Sequence, residues 1–119
     1  MALPFRVTGL YGGLAECVGL LRDEGDHLAF EFQVKDGLIG IKGPVRLVRV
    51  PVTDINELKF VDGWLGVRKL IGGGKIAIQC ERLQQIAEIP GSQQGKVELS
   101  IAAADVDAAK AFVAGLHRG

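Results

Sequence analysis

Few residues in this chain have the type and spacing to do covalent chemistry. The only histidines are His27 and His117, and the only serines are Ser92 and Ser100. No His-x-His, His-Glu-x-x-His or Gly-x-Ser-x-Gly pattern occurs, so nothing combines a nucleophile with a base and an orienting acid. Cys17 and Cys80 stand far apart and outside any Cys-x-x-Cys motif, which speaks against a zinc ribbon or a redox pair. An oxidising compartment would permit one disulfide between them; the preferred reading is two buried free thiols serving as small apolar side chains. Gly72-Gly73-Gly74-Lys75 invites a phosphate-loop reading but fails in detail. Lys69 stands where the first glycine is needed, Ile76 stands where Ser or Thr is needed, and a strand follows rather than a helix. Asp23, Glu24 and Asp26 form an acidic turn without the ligand spacing of a calcium loop, so a solvated turn is expected. No catalytic residue, cofactor or metal is expected.

Binding has more to work with. Residues 37 to 53 contain Lys42, Arg46 and Arg49 and no acid; residues 63 to 80 contain Arg68, Lys69 and Lys75 and no acid. If their strands are neighbours, they form a local basic patch for an anion, an acidic peptide or a membrane surface. The plainer reading is edge-strand cations that discourage edge-to-edge pairing. Trp64, the only tryptophan, starts a run after Asp62-Gly63. It reads as core or rim packing, with an exposed anchor for a partner as the functional alternative. The candidate binding residues are therefore Arg46, Arg49, Trp64, Arg68 and Lys69.

These residues must be positioned by strands. Leu28, Phe30, Phe32 and Val34 alternate with Ala29, Glu31, Gln33 and Lys35, the pattern of a half-buried antiparallel strand. Val97, Leu99 and Ile101, then Ile76, Ile78 and Cys80, then Leu58 and Phe60, alternate in the same way. Residues 14 to 22 and 64 to 71 read as further strands. Residues 44 to 52 are extended with apolar side chains on both parities, which predicts a bulge or bend near Leu47. Pro51 assigns that strand to an edge. Residues 1 to 11 hold either an extra short strand, with Phe5 and Val7, or a loose arm. Turn signals such as Asp36-Gly37, Asp62-Gly63 and Pro90-Gly91 separate the runs, so an antiparallel sandwich or barrel is expected. The period then changes. Val106, Ala109, Val113 and Leu116, with Phe112 beside them, predict one amphipathic helix over residues 105 to 118, with Asp105 as its N-cap.

Composition sets the outer limits. The 119 residues, 48% hydrophobic and 24% charged, suit a single globular domain. Fourteen Lys and Arg balance fourteen Asp and Glu, which argues against a nucleic-acid binder. The opening Met1 to Val7 shows no basic region followed by an apolar one, and no apolar run reaches membrane-helix length. A cytoplasmic location is the default expectation.

Seven strands followed by one C-terminal helix resemble the pleckstrin-homology-like (PH-like) barrel. The resemblance is carried by the stretches from His27 to Gly37, Val48 to Ile55, Gly63 to Gly66 and Ile89 to Leu99, and by the helix from Asp105 to Phe112. Together these look like a group of small uncharacterised bacterial proteins with that fold, over roughly residues 14 to 117. The resemblance implies a mainly β (α+β) domain whose sheet is closed by a helix. It implies no reaction, because that fold serves as a scaffold for lipid, peptide and self-association sites. Lipid-binding members place cations where this chain has Asp23 to Asp26, so a phosphorylated headgroup is disfavoured there. The expected function is a non-catalytic binding or assembly module. Its partner is protein, either another chain or itself, taken at the gap between the edge strands near 44 to 52 and 64 to 71. The alternative is a small ligand or anionic lipid headgroup at the barrel mouth.

Overall fold

Period-two alternation builds the sheet. The computed structural model describes residues 2–36, 40–62 and 73–118. They contain seven strands: β1 (Ala2–Leu10), β2 (Ala15–Asp23), β3 (His27–Asp36), β4 (Arg46–Pro51), β5 (Ile55–Asp62), β6 (Gly74–Cys80) and β7 (Lys96–Ile101). One helix, α1 (Val106–Arg118), follows. All strand pairs are antiparallel, in the order β4-β3-β2-β1-β7-β6-β5.

That order forces the sheet to curl. β4 and β5 lie at its two ends, yet only the 3-10 turn Val52–Asp54 joins them. Laid flat, six interstrand spacings of about 4.8 Å would separate them by about 29 Å. The four steps from Pro51 to Ile55 span at most about 14 Å. The two edges must therefore be brought round towards each other. A second 3-10 turn, Leu83–Ile86, packs against β4, β6 and β7 and buries Ile86 completely. It is tied to the connector by Gln85 Nε2, which donates to Asp54 Oδ2 at 2.7 Å, and by the Glu81 amide, which donates to the Asp54 carbonyl at 2.7 Å.

One core fills the curl. β3 contributes Leu28, Phe30 and Phe32; β6 contributes Ile76, Ile78 and Cys80; β7 contributes Val97, Leu99 and Ile101. α1 adds Ala109, Phe112 and Leu116, whose steps of three and four place them on one helical face. Val106 and Val113 are only half-buried at the margin of that face. The helix begins at Val106, directly after a 3-10 turn over Ala103–Asp105.

Of the two readings of residues 1 to 11 the strand is the one found, longer than expected: β1 is the middle strand, pairing with both β2 and β7 and burying Leu3, Phe5 and Val7. The count of seven strands is thus met with β1 as a member, while the strand expected at 64 to 71 lies outside the described residues. One expectation changes: the bend expected near Leu47 is missing. The β3–β4 register runs unbroken from His27↔Pro51 to Phe32↔Arg46. The two apolar parities are simply two faces: Val48 and Val50 enter the core, while Val45 and Leu47 point outward and stay exposed. The irregularities sit elsewhere: between Val7 and Leu10 in β1, between Ile55 and Glu57 in β5, and ahead of β4, where the Lys35↔Lys42 bridge is one residue out of the Phe32↔Arg46 register.

Candidate functional site: the exposed face of β4

β4 is an edge strand, paired only with β3 among the described residues. The segment that leads into it is held by short backbone bonds: the Asp36 amide to the Ile41 carbonyl at 2.8 Å and the Gly43 amide to the Val34 carbonyl at 2.8 Å. Gln33 Nε2 also donates to the Gly43 carbonyl at 2.7 Å. This segment and β4 display Ile41, Val45 and Leu47 at 62%, 63% and 46% exposure. On the outer face Leu47 stands opposite Glu31, Glu31 opposite Leu20, and Leu20 opposite Pro4. Beside that row lies a shallow hollow of about 290 Å³, lined by Val18, Leu20, Gln33 and Val45. The exposed apolar side chains of the edge are therefore separated from Leu20 and Val18 of β2 by Glu31 and Gln33 of β3.

The charges around these side chains are unevenly paired. Arg22 donates to Glu31 at 2.9 Å, and Arg49 Nε donates to Glu24 at 2.9 Å. Arg6 lies 3.9 Å from Glu16. The carboxylates of the face are thus already engaged. Lys35 and Lys42 form an isolated β-bridge and stand directly opposite each other, and both are exposed. Arg46 is exposed with no ion pair among the described residues.

Of the residues expected to bind, Arg46 and Arg49 are on β4 but on opposite faces, because an odd spacing on a strand alternates sides. Among the described residues, Arg49 has an ion-pair partner and Arg46 has none. Trp64, Arg68 and Lys69 lie outside the described residues. Of the other basic stretch, Lys75 is described; it lies on β6, which does not pair with β4. Sequence reasoning missed Ile41, Val45 and Leu47. For Val45 and Leu47 the signal is the second apolar parity of residues 44 to 52, which marks a second face rather than a bend; Ile41 lies ahead of that run and has no such signal.

The acidic turn is satisfied internally. Gly25, at φ 89, lets its amide donate to Asp23 Oδ1 at 2.9 Å. His27 Nδ1 donates to Asp26 Oδ1 at 3.0 Å, and this bond holds the Asp26 carboxyl below its ordinary range. Among the described residues no group of three or more His, Cys, Asp or Glu is placed to hold a metal ion. Cys17 and Cys80 are buried free thiols, each pushed up to about 11 by burial. No helix is long and apolar enough to cross a membrane, among the described residues.

A second concavity opens at the other seam. The β1–β7 ladder consists of one bridge, Arg6↔Ser100. Beyond it lies a cleft of about 690 Å³ bordered by Thr8, Tyr11, Lys75, Gln94, Lys96 and Glu98. Tyr11 and Gln94 both have left-handed backbones, at φ 50 and φ 54. Compared with protein-family models, curated proteins and solved structures, the chain matches none.

Proposed function

We propose that the chain is a PH-like domain acting as a non-catalytic binding module, and that it takes a protein partner on the exposed face of β4. The observation that carries this is the run Ile41, Val45 and Leu47 left in water beside an edge strand. Large apolar side chains left in water at a sheet edge are costly unless something covers them. Beyond Glu31 and Gln33 of β3, the half-buried Val18 and Leu20 of β2 line the same hollow as Val45. The PH-like assignment is supported by consecutive strands that are sheet neighbours except β4 and β5, with β1 beside β7, and by a C-terminal helix that buries one face in the same core.

Light scattering at two concentrations, with and without Val45→Asp and Leu47→Asp together, separates self-assembly from capture of another chain. A multiple of 12.7 kDa that the double variant reduces to the monomer identifies a second copy as the partner. For a monomer, a photo-crosslinking residue at Leu47 should yield protein adducts in cells that one at exposed Glu88 does not. A stable multimer untouched by the double variant, or equal crosslinking at both positions, overturns the proposal.

A second reading has its own observation. Lys75 and Lys96 border the β1–β7 cleft and favour a small anionic ligand there. Inositol hexakisphosphate should then shift amides of β7 in a salt-sensitive way; no shift removes this reading.

A further inference from the structure

We infer that the natural ligand of the β1–β7 cleft is a sugar that carries a single acidic group, a carboxylate or a phosphate. This rests on the second reading of function, that the cleft takes a small anionic ligand. Three features select the sugar.

The first is how the cleft is made. On the edge of β7 that faces β1, the Lys96 amide donates to the Gln93 carbonyl at 3.0 Å, and the Lys96 carbonyl accepts from the Gln93 amide at 2.8 Å. The turn before β7 thus takes the bonds that β1 would use, and the β1–β7 ladder stops at Arg6↔Ser100. Gly91 closes the floor, where a Cβ would lie 2.7 Å from Val7 Cγ1. The space left, about 690 Å³, falls within the range of about 300–1,000 Å³ of small-molecule sites.

The second is strain. Among the described residues, Tyr11 and Gln94 are the non-glycine residues with left-handed backbones, and both line this cleft. Glycine would adopt either conformation freely. The chain instead keeps an aromatic ring and an amide there, and such outliers gather at ligand sites. Tyr11 is 76% exposed, so core packing does not account for its ring. An exposed ring stacks on the C–H face of a sugar, and the Gln94 amide both donates to and accepts from hydroxyls.

The third is charge. Lys75 stands opposite Ser100, and Ser100, Glu98 and Lys96 occupy alternate positions on one face of β7. One carboxylate therefore lies between two cations whose positions are about 14 Å apart along the strand. None of the three has an ion pair among the described residues. A polyanion spanning both lysines would lie over Glu98 and be repelled by it. A molecule with one acid and several hydroxyls sets the acid on a lysine and donates to Glu98, a charge-assisted bond of the stronger kind.

The test titrates the whole ¹⁵N-labelled chain with glucose 6-phosphate, glucuronate, glucose, inorganic phosphate, adenosine monophosphate and inositol hexakisphosphate. Glucose 6-phosphate and glucuronate should give saturable amide shifts over residues 8 to 11 and 93 to 98. Both should bind at least tenfold tighter than glucose or inorganic phosphate. Tyr11→Gly should weaken glucose 6-phosphate at least fivefold, leave inorganic phosphate unchanged and not lower the urea midpoint, whereas a ring needed only for the fold would lower it. Glu98→Ala should weaken glucose 6-phosphate and tighten inositol hexakisphosphate. Glu98 is exposed, and an unchanged amide spectrum elsewhere verifies the fold. Glucose or inorganic phosphate binding as tightly as glucose 6-phosphate overturns the inference. So does adenosine monophosphate binding tighter than either sugar acid, which would make a base the recognised group. Inositol hexakisphosphate shifting β7 while no sugar binds overturns this inference and leaves the second reading standing; no shift with any probe removes both.

Discussion

Replacing Gly19 by alanine should destabilise the fold although glycine is a poor strand residue. Gly19 faces the core on β2, directly opposite Phe5 of β1. A Cβ there would lie 2.7 and 2.9 Å from Phe5 Cζ and Cε2, and it would overlap the Glu31 carbonyl oxygen on β3. Carbon atoms pack best at about 3.5–4.0 Å. The ring can shift only into a filled core, since Phe5 is 2% exposed. The carbonyl belongs to the paired β2–β3 ladder and can shift even less. Overpacking costs about 1–3 kcal/mol, and the backbone contact puts this case at the upper end. Alanine in a strand returns about 0.5–1 kcal/mol relative to glycine, so the net loss is about 2 kcal/mol. For a chain of this length that lowers Tm by about 8 °C, and the urea midpoint by about 1 M at a slope of about 2 kcal/mol/M. The assay is urea unfolding followed by circular dichroism, repeated in a Phe5→Leu background. The smaller side chain should remove the ring's share, so that Gly19→Ala costs about 1 kcal/mol less there. A Gly19→Ala variant as stable as the parent would refute the placement of Gly19 beneath Phe5. A cost unchanged by Phe5→Leu would refute the ring's part in it.

Two further predictions concern the core. Phe112→Ala should cost about 3–5 kcal/mol in urea unfolding, because Phe112 is 4% exposed on the face of α1 that joins the core. Lys110→Ala, which removes only a cation 5.7 Å from the Phe60 ring centre, should cost about 1 kcal/mol or less. Stability should also fall in alkali. Burial raises the Cys17 and Cys80 thiols from 9.0 to about 11 in the folded state, so the unfolded chain loses these protons first. Stability is therefore intact below pH 9 and is lost as pH climbs towards 11, by up to about 1.4 kcal/mol per pH unit for each thiol. Urea midpoints across this range, compared with those of the Cys17→Ala, Cys80→Ala double variant, read the effect. An alkaline slope that the double variant keeps would show that other groups cause it.

What the sequence determined by itself was local. Alternation at Leu28 to Val34, Ile76 to Cys80 and Val97 to Ile101 requires strands, because a side chain on every second residue has only one face to bury. Steps of three and four from Ala109 to Leu116 require a helix for the same reason. The odd spacing of Arg46 and Arg49 already implied opposite faces. Pairing over long separations was not legible. Phe5 and Val7 suggested a strand at the start of the chain. Its place in the middle of the sheet depends on β7, more than ninety residues later, and nothing local records that partner. The sheet's closure came from order, since a short connector between its two end strands cannot be accommodated flat. Whether the second parity of β4 is covered or left in water was likewise a tertiary outcome. Ala29 on β3 and Ala77 on β6 are buried at the core-averted parity of their strands, while Val45 and Leu47, larger and at the edge, are not. An edge strand has a neighbour on one side only, so the side chains most ready for a partner were the ones that local periodicity could not distinguish from core.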